Sequence, residues 1–383
     1  MKIIMFIFPC LLCSTLFSQT VPNHEYHMHD TGHHDRHDLL KDGSLKFTFE
    51  PLLTWTYQHA DKVLPGMPHS KAVLYYDVGG AFTFWNDDDG LGQLFYEMQG
   101  NIAGGTSPNP SLSSSLGSPY AMNDILTSVD YEFSALYWQQ SLGNHGVRLR
   151  VGKLGVSSFF DTNAIANDSV ADFMAEGFNK SITNPMPGNG FGANIEFDLD
   201  ENKIFRFGMS NSEPITRTSG IRGMSSDHLF TIAELAITAT PSIQEQEREG
   251  HYRFLVWNNG VTNSSGTGNV EGWGFLVNLD QKVYDNTTLF GRLGWGDSEV
   301  TPSDFSFSAG IEFDEPFNVE NSKMGFAYQY AELSSGGEQN IAEWFYRTKL
   351  SDTNVYVGPV VQYYDDDNLD GSMIYGIRTS LSF

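Results

Sequence analysis

From residue 45 to the end of the chain, short runs of residues alternate between apolar and polar side chains. In the last run, SMIYGIRTSLSF, Met373, Tyr375 and Ile377 fall on one face, whereas Arg378 and Ser380 fall on the other. Successive side chains of a strand point to opposite faces, so this alternation predicts β-strands. We count about 16 such runs, centred near residues 51, 78, 98, 133, 151, 195, 206, 234, 255, 277, 291, 309, 327, 346, 358 and 378.

An even number of strands, each with one apolar face, predicts an all-β fold, a transmembrane antiparallel β-barrel of about 16 strands. Closure removes the unpaired edges, and the apolar faces then point to lipid. The composition fits this prediction, because 14% of the residues are aromatic and only 18% are charged. A soluble β protein with the same average composition is the alternative.

The connections between the runs are unequal in length. If the chain starts in the periplasm, the short ones fall mostly on the periplasmic side and the long ones on the external side, as in outer-membrane barrels. The short connections include Leu142–His145, Asp200–Asn202, Asp285–Asn286 and Ser351–Thr353, and the long ones are 58–71, 104–124, 156–189, 211–228 and 260–270. Thr240–Gly250 and Asp314–Ser322 are longer than periplasmic turns should be.

The third external connection, from Val156 to Asn189, is the longest. Connections of more than about 12–15 residues are usually functional or disordered. A barrel of 16 strands encloses a water-filled channel. We therefore expect this loop to fold into the lumen and narrow it, with Phe159, Phe160 and Phe173 anchoring it against the wall.

The N-terminal residues precede the barrel in two parts. Residues 1–19 carry one lysine and then an apolar run, which predicts a secretory signal peptide. Residues 20–44 form a His-rich extension that we expect to be disordered, and 45–383 form the barrel. Weak binding of a divalent metal is the alternative role of the histidines, which are His24, His27, His29, His33, His34 and His37. No cofactor is expected.

The charge and the C-terminus restrict the partners. The formal net charge of −25 argues against nucleic acid, because phosphate binding requires basic patches. The terminal Phe383 closes an amphipathic final strand, and we expect the barrel-assembly machinery to recognise it. We expect the apolar faces of the strands to contact outer-membrane lipid. The pattern does not separate a monomer from a trimer.

One stretch resembles a known family. RLRVGKLGVSSFFDTNAIANDSVADFM followed by TNPMPGNGFGA, between Arg148 and Ala193, is similar to the carbohydrate-selective porins of the OprB type. The similarity continues through GHYRFLVWNNG, GFLVNLDQKVYDNTTLFGRLGWGD and the C-terminal run, and it covers about residues 45–383. It implies a 16-stranded barrel through which small neutral sugars diffuse across the bacterial outer membrane.

A sugar channel needs a wall that offers hydrogen-bond donors and acceptors. The alternation places charged residues on the inward faces of the strands: Arg148, Arg150, Arg206, Arg253, Arg292, Glu312, Glu343, Arg347 and Arg378, with Asp130 and Glu132 as further acids. The long loop adds Asp161, Asn163, Asn167 and Asp168. These residues are our candidates for contact with the solute. The alternative is that the wall charges pair with one another and that the loop residues make local turns.

Three other functions stay open at the level of sequence. The first is a general or cation-preferring porin, which the excess of acidic residues would favour. The second is a barrel enzyme, although the chain contains neither G-x-S-x-G nor H-E-x-x-H. The third is a metal-related channel in which the histidine tract collects the ion.

Overall fold

The computed structural model describes residues 46–87, 90–104, 111–125, 130–142, 146–215, 217–222, 224–262, 268–351 and 353–382. The predicted signal peptide, the histidines of the N-terminal extension and Phe383 lie outside the described residues. Predictions that concern them therefore remain predictions.

Within the described residues, sixteen antiparallel strands form one closed sheet. Each strand pairs with the next one along the chain, and the last pairs with the first, where Arg378 lies opposite Thr56. The predicted strand number and barrel are confirmed. The strands are β1 Glu50–Ala60, β2 Ser70–Asp87, β3 Gly90–Gly104, β4 Glu132–Leu142, β5 Val147–Leu154, β6 Gly190–Asp200, β7 Lys203–Asn211, β8 Leu229–Ala239, β9 Gly250–Thr262, β10 Asn269–Tyr284, β11 Thr287–Gly296, β12 Ser303–Asp314, β13 Ser322–Leu333, β14 Glu338–Lys349, β15 Val355–Asp366 and β16 Leu369–Ser382.

In the described residues, little other regular structure accompanies the barrel. The described helices, α1 (Ser113–Leu116) and α2 (Glu176–Asn179), are short and lie in connections between strands. None of the helices in the described part of the chain has the length and apolarity of a membrane-spanning helix. The remaining elements are the strand Lys46–Phe47, the small hairpin of Ser242–Ile243 with Gln246–Glu247, and the 3-10 turns Val156–Ser158 and Pro316–Asn318.

Strand β11 illustrates how the two faces of the barrel differ. Its outward residues Leu289, Leu293 and Trp295 are 36–44% exposed, whereas the inward residues Phe290 and Arg292 are 3–4% exposed. The face that points away from the barrel is therefore apolar and exposed, whereas the inward face carries buried residues that are both polar and apolar. The other arginines and glutamates that alternation placed inward are buried or half-buried on the same face: Arg148, Arg150, Arg206, Arg253, Glu312, Glu343, Arg347 and Arg378.

One predicted inward acid is misplaced. Asp130 lies before the start of β4 at Glu132 and is exposed, and it forms an ion pair with Arg217 of the connection between β7 and β8. Glu132, by contrast, is buried on the inward face. The prediction was wrong because it extended the strand two residues beyond its first ladder pair.

The two connections that the sequence analysis found too long for periplasmic turns, Thr240–Gly250 and Asp314–Ser322, contain local turns. Residues 240–249 hold the small hairpin, whose tip residues Gln244 and Glu245 both have positive φ. Residues 315–321 contain Phe317 with φ 62°, an uncommon angle for an aromatic residue. These turns explain why the two connections are longer than the two-residue turn between β10 and β11.

Candidate functional site

The segment of residues 156–189, which joins β5 to β6, packs against the inward face of the barrel; we call it the long segment. Phe173 is fully buried. Its ring centroid lies 5.0 Å from that of Phe345 on β14 and 5.6 Å from that of Phe290 on β11. Phe178, in the same segment, completes this aromatic cluster at 5.4 Å. The anchoring role that the sequence predicted for Phe173 has a structural basis in these contacts.

Arg292 of β11 holds the first part of the long segment. Its Nε lies 2.9 Å from Oδ1 of Asp161, and its Nη2 donates to the carbonyl oxygens of Asp161 at 3.0 Å and Ala166 at 2.8 Å. The guanidinium also donates to the carbonyls of Phe178 and Asn179. Arg292 is thus saturated by the long segment, and it is better placed to position this segment than to bind a solute.

Asp161 and Asn163 also bind Asn278 of β10. Asn278 Nδ2 donates to Asp161 Oδ1 at 2.6 Å, and Asn163 Nδ2 donates to Asn278 Oδ1 at 2.7 Å. Asn163 Oδ1 accepts the backbone N–H of Ile165, which makes the local turn typical of asparagine. Asp161 adopts φ 58°, a left-handed conformation that Asp tolerates better than most residues. The Asn163 side chain therefore serves both the local turn and the contact with the wall, whereas the Asp161 side chain contacts the wall and accepts the backbone N–H of Ser181 in the long segment.

Inward residues of β14 and β16 hold the second part of the long segment. Glu343 accepts the backbone N–H groups of Met174 at 2.6 Å and Ala175 at 2.9 Å. Arg378 donates to the carbonyl oxygen of Asp172 at 2.8 Å. Asp168 accepts backbone N–H groups within the segment itself. Glu343 and Arg378 thus anchor the long segment to the wall, whereas Asp168 makes a local turn within the segment.

A second connection also contacts the inward face, which the sequence analysis did not predict. In residues 111–125, the carbonyl oxygen of Met122 accepts hydrogen bonds from Gln58 of β1 at 3.3 Å and from Gln362 of β15 at 2.9 Å. Backbone bonds join this second segment to the long segment, from Asp124 N to the Met174 carbonyl at 2.8 Å and from Glu176 N to the Ala121 carbonyl at 2.8 Å. The two segments are thus joined by hydrogen bonds into one unit.

A charge cluster lies where the two segments meet. Lys180 Nζ is 3.4 Å from both Asp124 Oδ1 and Glu176 Oε1. Burial raises the pKa of the Asp124 carboxyl to about 6, although the ammonium of Lys180 opposes the shift. The negative charge of Glu176 acts in the same direction as burial, because two carboxyl groups share one ammonium.

A row of alternating charges crosses the inward face from β5 to β8. Arg206 Nε lies 2.7 Å from Glu196 Oε2, and its Nη1 lies 2.6 Å from Glu234 Oε1. Arg148 forms ion pairs with Glu196 and with Asp198. Neighbours in this charged row are register partners on adjacent strands. The row neutralises itself and forms a fixed part of the wall.

A second row, which we call the polar row, runs parallel to it from β2 to β6. Gln93 Nε2 donates to Thr83 Oγ1 at 2.8 Å, Arg150 Nε donates to Gln139 Oε1 at 2.7 Å, and Arg150 Nη1 donates to Asn194 Oδ1 at 3.1 Å. Gln139 donates to Gln93 at 3.5 Å. Gln93, Gln139 and Arg150 are only half-buried, and the partners of Arg150 are neutral side chains.

Aromatic rings lie beside the polar row. Phe95 and Tyr137 are register partners two residues along their strands from Gln93 and Gln139. Their centroids are 5.0 Å apart at an interplanar angle of 13°. Phe159 of the long segment meets Tyr137 edge-on at 5.7 Å. We call Phe95, Tyr137 and Phe159 the aromatic shelf; the guanidinium of Arg150 lies 4.7 Å from the centre of the Phe159 ring.

The structure separates the predicted candidates into groups. Those that join the long segment to the wall are Asp161, Asn163, Arg292, Glu343 and Arg378, whereas Asp168 makes a local turn. Those paired within the wall or at its edge are Arg148, Arg206, Arg253 with Asp280, and Glu312 with Lys323. Arg150 lies in the polar row, Arg347 stacks on Tyr356 at 3.9 Å, and Asn167 is half-buried in the long segment. The sequence analysis missed the uncharged neighbours of Arg150, namely Gln93, Gln139, Asn194, Phe95 and Tyr137, although alternation alone places them inward.

Comparison with known proteins gives a consistent result. The model of a family described as "Carbohydrate-selective porin, OprB family" matches residues 98–364. Among solved structures, a high-pH structure of Pseudomonas putida OprB aligns with a TM-score of 0.70 at 13% identity, covering 89% of this chain and 95% of that one. An anion-selective porin from Comamonas acidovorans aligns with a TM-score of 0.59 at 11% identity, covering 89% and 100%. No curated protein sequence matches the chain.

Proposed function

Because the chain belongs to the carbohydrate-selective porin family, OprB, we propose that sugars cross its lumen along the polar row and the aromatic shelf. The family and the barrel fold are those of a channel and imply the bacterial outer membrane. The proposal concerns where the solute binds and what narrows its path.

The chemistry of a sugar carries the first part of the proposal. A neutral sugar loses hydrogen bonds to water when it enters a narrow pore, and the wall must replace them while binding weakly enough to release it. The polar row offers amide and guanidinium donors next to amide acceptors. Phe95 and Phe159 of the shelf are half-buried and offer an aromatic surface to the C–H face of the ring, whereas Tyr137 is buried. Small-molecule sites generally combine such apolar surfaces with a few placed polar groups.

The observation that most supports this location is the difference among the wall arginines. Arg292 and Arg378 donate to the long segment, and Arg148 and Arg206 are held in ion pairs. Arg150 instead has neutral partners and is half-buried. A guanidinium held by neutral amides can exchange those bonds for sugar hydroxyls at lower cost than one held by a carboxylate.

We also infer that the long segment narrows the lumen. Its hydrogen bonds to inward residues of β8, β10, β11, β14 and β16 support this assignment. The wall from β2 to β6, which carries the polar row, is then the side along which solutes pass. Recognition of Phe383 by the assembly machinery, the choice between monomer and trimer, and the domain limits 1–19, 20–44 and 45–383 remain predictions.

Block of single channels by sugars tests the proposed site. We expect neutral sugars to interrupt the current of the mature chain in a planar bilayer in a concentration-dependent manner. Arg150→Ala should raise the half-blocking concentration about fivefold, since one hydrogen bond contributes about 1 kcal/mol. Arg248→Ala is the matched control, because Arg248 pairs with Asp285 in a periplasmic turn. An ohmic current that no sugar reduces would contradict the proposal.

A further inference from the structure

One pair of inward carboxyl groups lacks the partners that the others have. Asp77 of β2 is buried and accepts a hydrogen bond from the Tyr75 hydroxyl at 2.9 Å. Glu97 of β3 lies opposite Gly79, two residues from Asp77 on the same face, and a Cβ at Gly79 would lie 3.8 Å from Asp77 Oδ1 and 4.0 Å from Glu97 Cγ. In the part of the chain that the structure describes, no basic side chain forms an ion pair with Asp77 or Glu97. Two carboxylates in contact repel each other, so the pair must either share a proton or receive a cation.

The other buried carboxyl groups on the described strands are matched. Glu196 and Glu234 bind Arg206, Asp280 binds Arg253, and Glu312 binds Lys323. Glu343 accepts two backbone N–H groups, and Glu132 accepts the side-chain amides of Gln99 and Asn189. The wall therefore provides a donor for each of these acids but not a basic or amide donor for Asp77.

An unpartnered hydroxyl lies beside the pair. The register between β3 and β4 shifts at Glu97 and Met98, so that Glu97 lies opposite Ala135 and Ser134 is the extra residue of a bulge. Ser134 and Ala135 are both buried, whereas the residues on either side of them are exposed. Ser134 is thus on the inward face next to Glu97, and its Oγ is buried without a hydrogen-bond partner in the described chain.

We propose that Asp77, Glu97 and Ser134 bind the protonated amino group of an amino sugar whose ring lies on the aromatic shelf. This inference rests on the proposed function and specifies the solute. Glu97 follows Phe95 by two residues on the same face of β3, a distance of about 7 Å along the strand. That distance is on the scale of one sugar ring. The carboxylates and the hydroxyl accept the N–H groups of the ammonium, while Arg150 and the polar row bind the hydroxyls at the other end of the ring.

Single-channel block by three related sugars at pH 6 tests the assignment. Glucosamine carries a charged amine, N-acetylglucosamine carries a neutral amide at the same position, and glucose carries a hydroxyl. We expect glucosamine to block at a concentration at least fivefold below that of the other two. Glu97→Gln and Asp77→Asn should each remove this preference, so that glucosamine and glucose then block at similar concentrations. Glu299→Gln, which removes an exposed external charge, should leave the preference intact.

The outcomes separate the two proposals. Absence of block by any sugar overturns the proposed function. Block by glucose without a preference for glucosamine overturns only the amino-sugar assignment, as does a preference that survives Glu97→Gln in a variant whose folded barrel migrates normally on gels. Methylammonium tests for a general cation site: if it blocks as well as glucosamine, the pair does not recognise a sugar.

Discussion

Replacing Arg292 by alanine should release the long segment from the β11 wall. The substitution leaves Asp161 as a buried carboxylate without its cation and removes the donor to four carbonyl oxygens of the segment. Removing one partner of a buried ion pair costs about 3–5 kcal/mol. Asp161 keeps its bonds from Asn278 and from the Ser181 N–H, so we expect the lower end of this range.

A loss of about 3 kcal/mol raises the population of the displaced segment about 100-fold, since about 1.4 kcal/mol corresponds to a factor of ten. The barrel itself should persist, because its ladder pairs do not involve the segment. Single-channel recording is the assay. We expect Arg292→Ala to show excursions to a larger conductance and weaker block by sugars. Arg248→Ala is the control, because Arg248 is a buried arginine that pairs with Asp285, which lies outside the long segment.

The reasoning would be refuted if Arg292→Ala formed folded channels with the conductance, noise and sugar block of the parent. That result would mean that the segment is held by its other contacts or that it does not limit the current. A double substitution with Asp161→Asn separates these cases. If the unpaired carboxylate of Asp161 causes the long segment to leave the wall, then adding Asp161→Asn to Arg292→Ala should bring the current noise part of the way back to that of the parent channel.

Three further predictions concern the same unit. Phe173→Ala should destabilise the packing of the long segment against the barrel wall by about 3–5 kcal/mol, which would be measured as faster limited proteolysis within the segment. Gly208→Ala brings a methyl group within 2.7 Å of the Phe160 ring, so current noise should rise in this variant. The raised pKa of Asp124, about 6, means that the folded state binds the proton more tightly. The packing of the two segments around the buried Asp124 should then be most stable below about pH 4 and weaken as the pH rises through 6, and Asp124→Asn should flatten the resulting dependence of channel noise on pH.

The barrel was predictable because the alternation of apolar and polar residues can be seen in the sequence of each strand alone. Alternation in β11 separates Leu289 and Leu293 from Phe290 and Arg292 without knowledge of any neighbour. The even strand number and the unequal connections follow from the same local signal. The error at Asp130 arose at a strand boundary, where the alternation begins two residues before the first ladder pair at Glu132.

The roles of the inward residues were not predictable in the same way. Asp161 and Arg292 are 131 residues apart, and the sequence around either residue does not indicate that the two side chains form an ion pair. Charge attracted attention to the arginines, yet most of their donors are used within the wall or by the long segment. The half-buried polar row is largely uncharged, and Gln93 and Gln139 become conspicuous only when the register sets them beside Arg150.

The central claim is that solutes pass along the polar row while the long segment covers the opposite wall. The most direct test is whether sugar protects cysteines introduced at these two places from chemical modification. The chain has no cysteine after Cys13, so single cysteines at Gln93 and Gln329 can be compared in mature protein. Gln329 is buried against Gly177 of the long segment. We predict that a charged methanethiosulfonate reagent modifies Gln93→Cys, that neutral sugar slows this reaction, and that Gln329→Cys does not react. Equal modification at both positions, unaffected by sugar, would contradict the account.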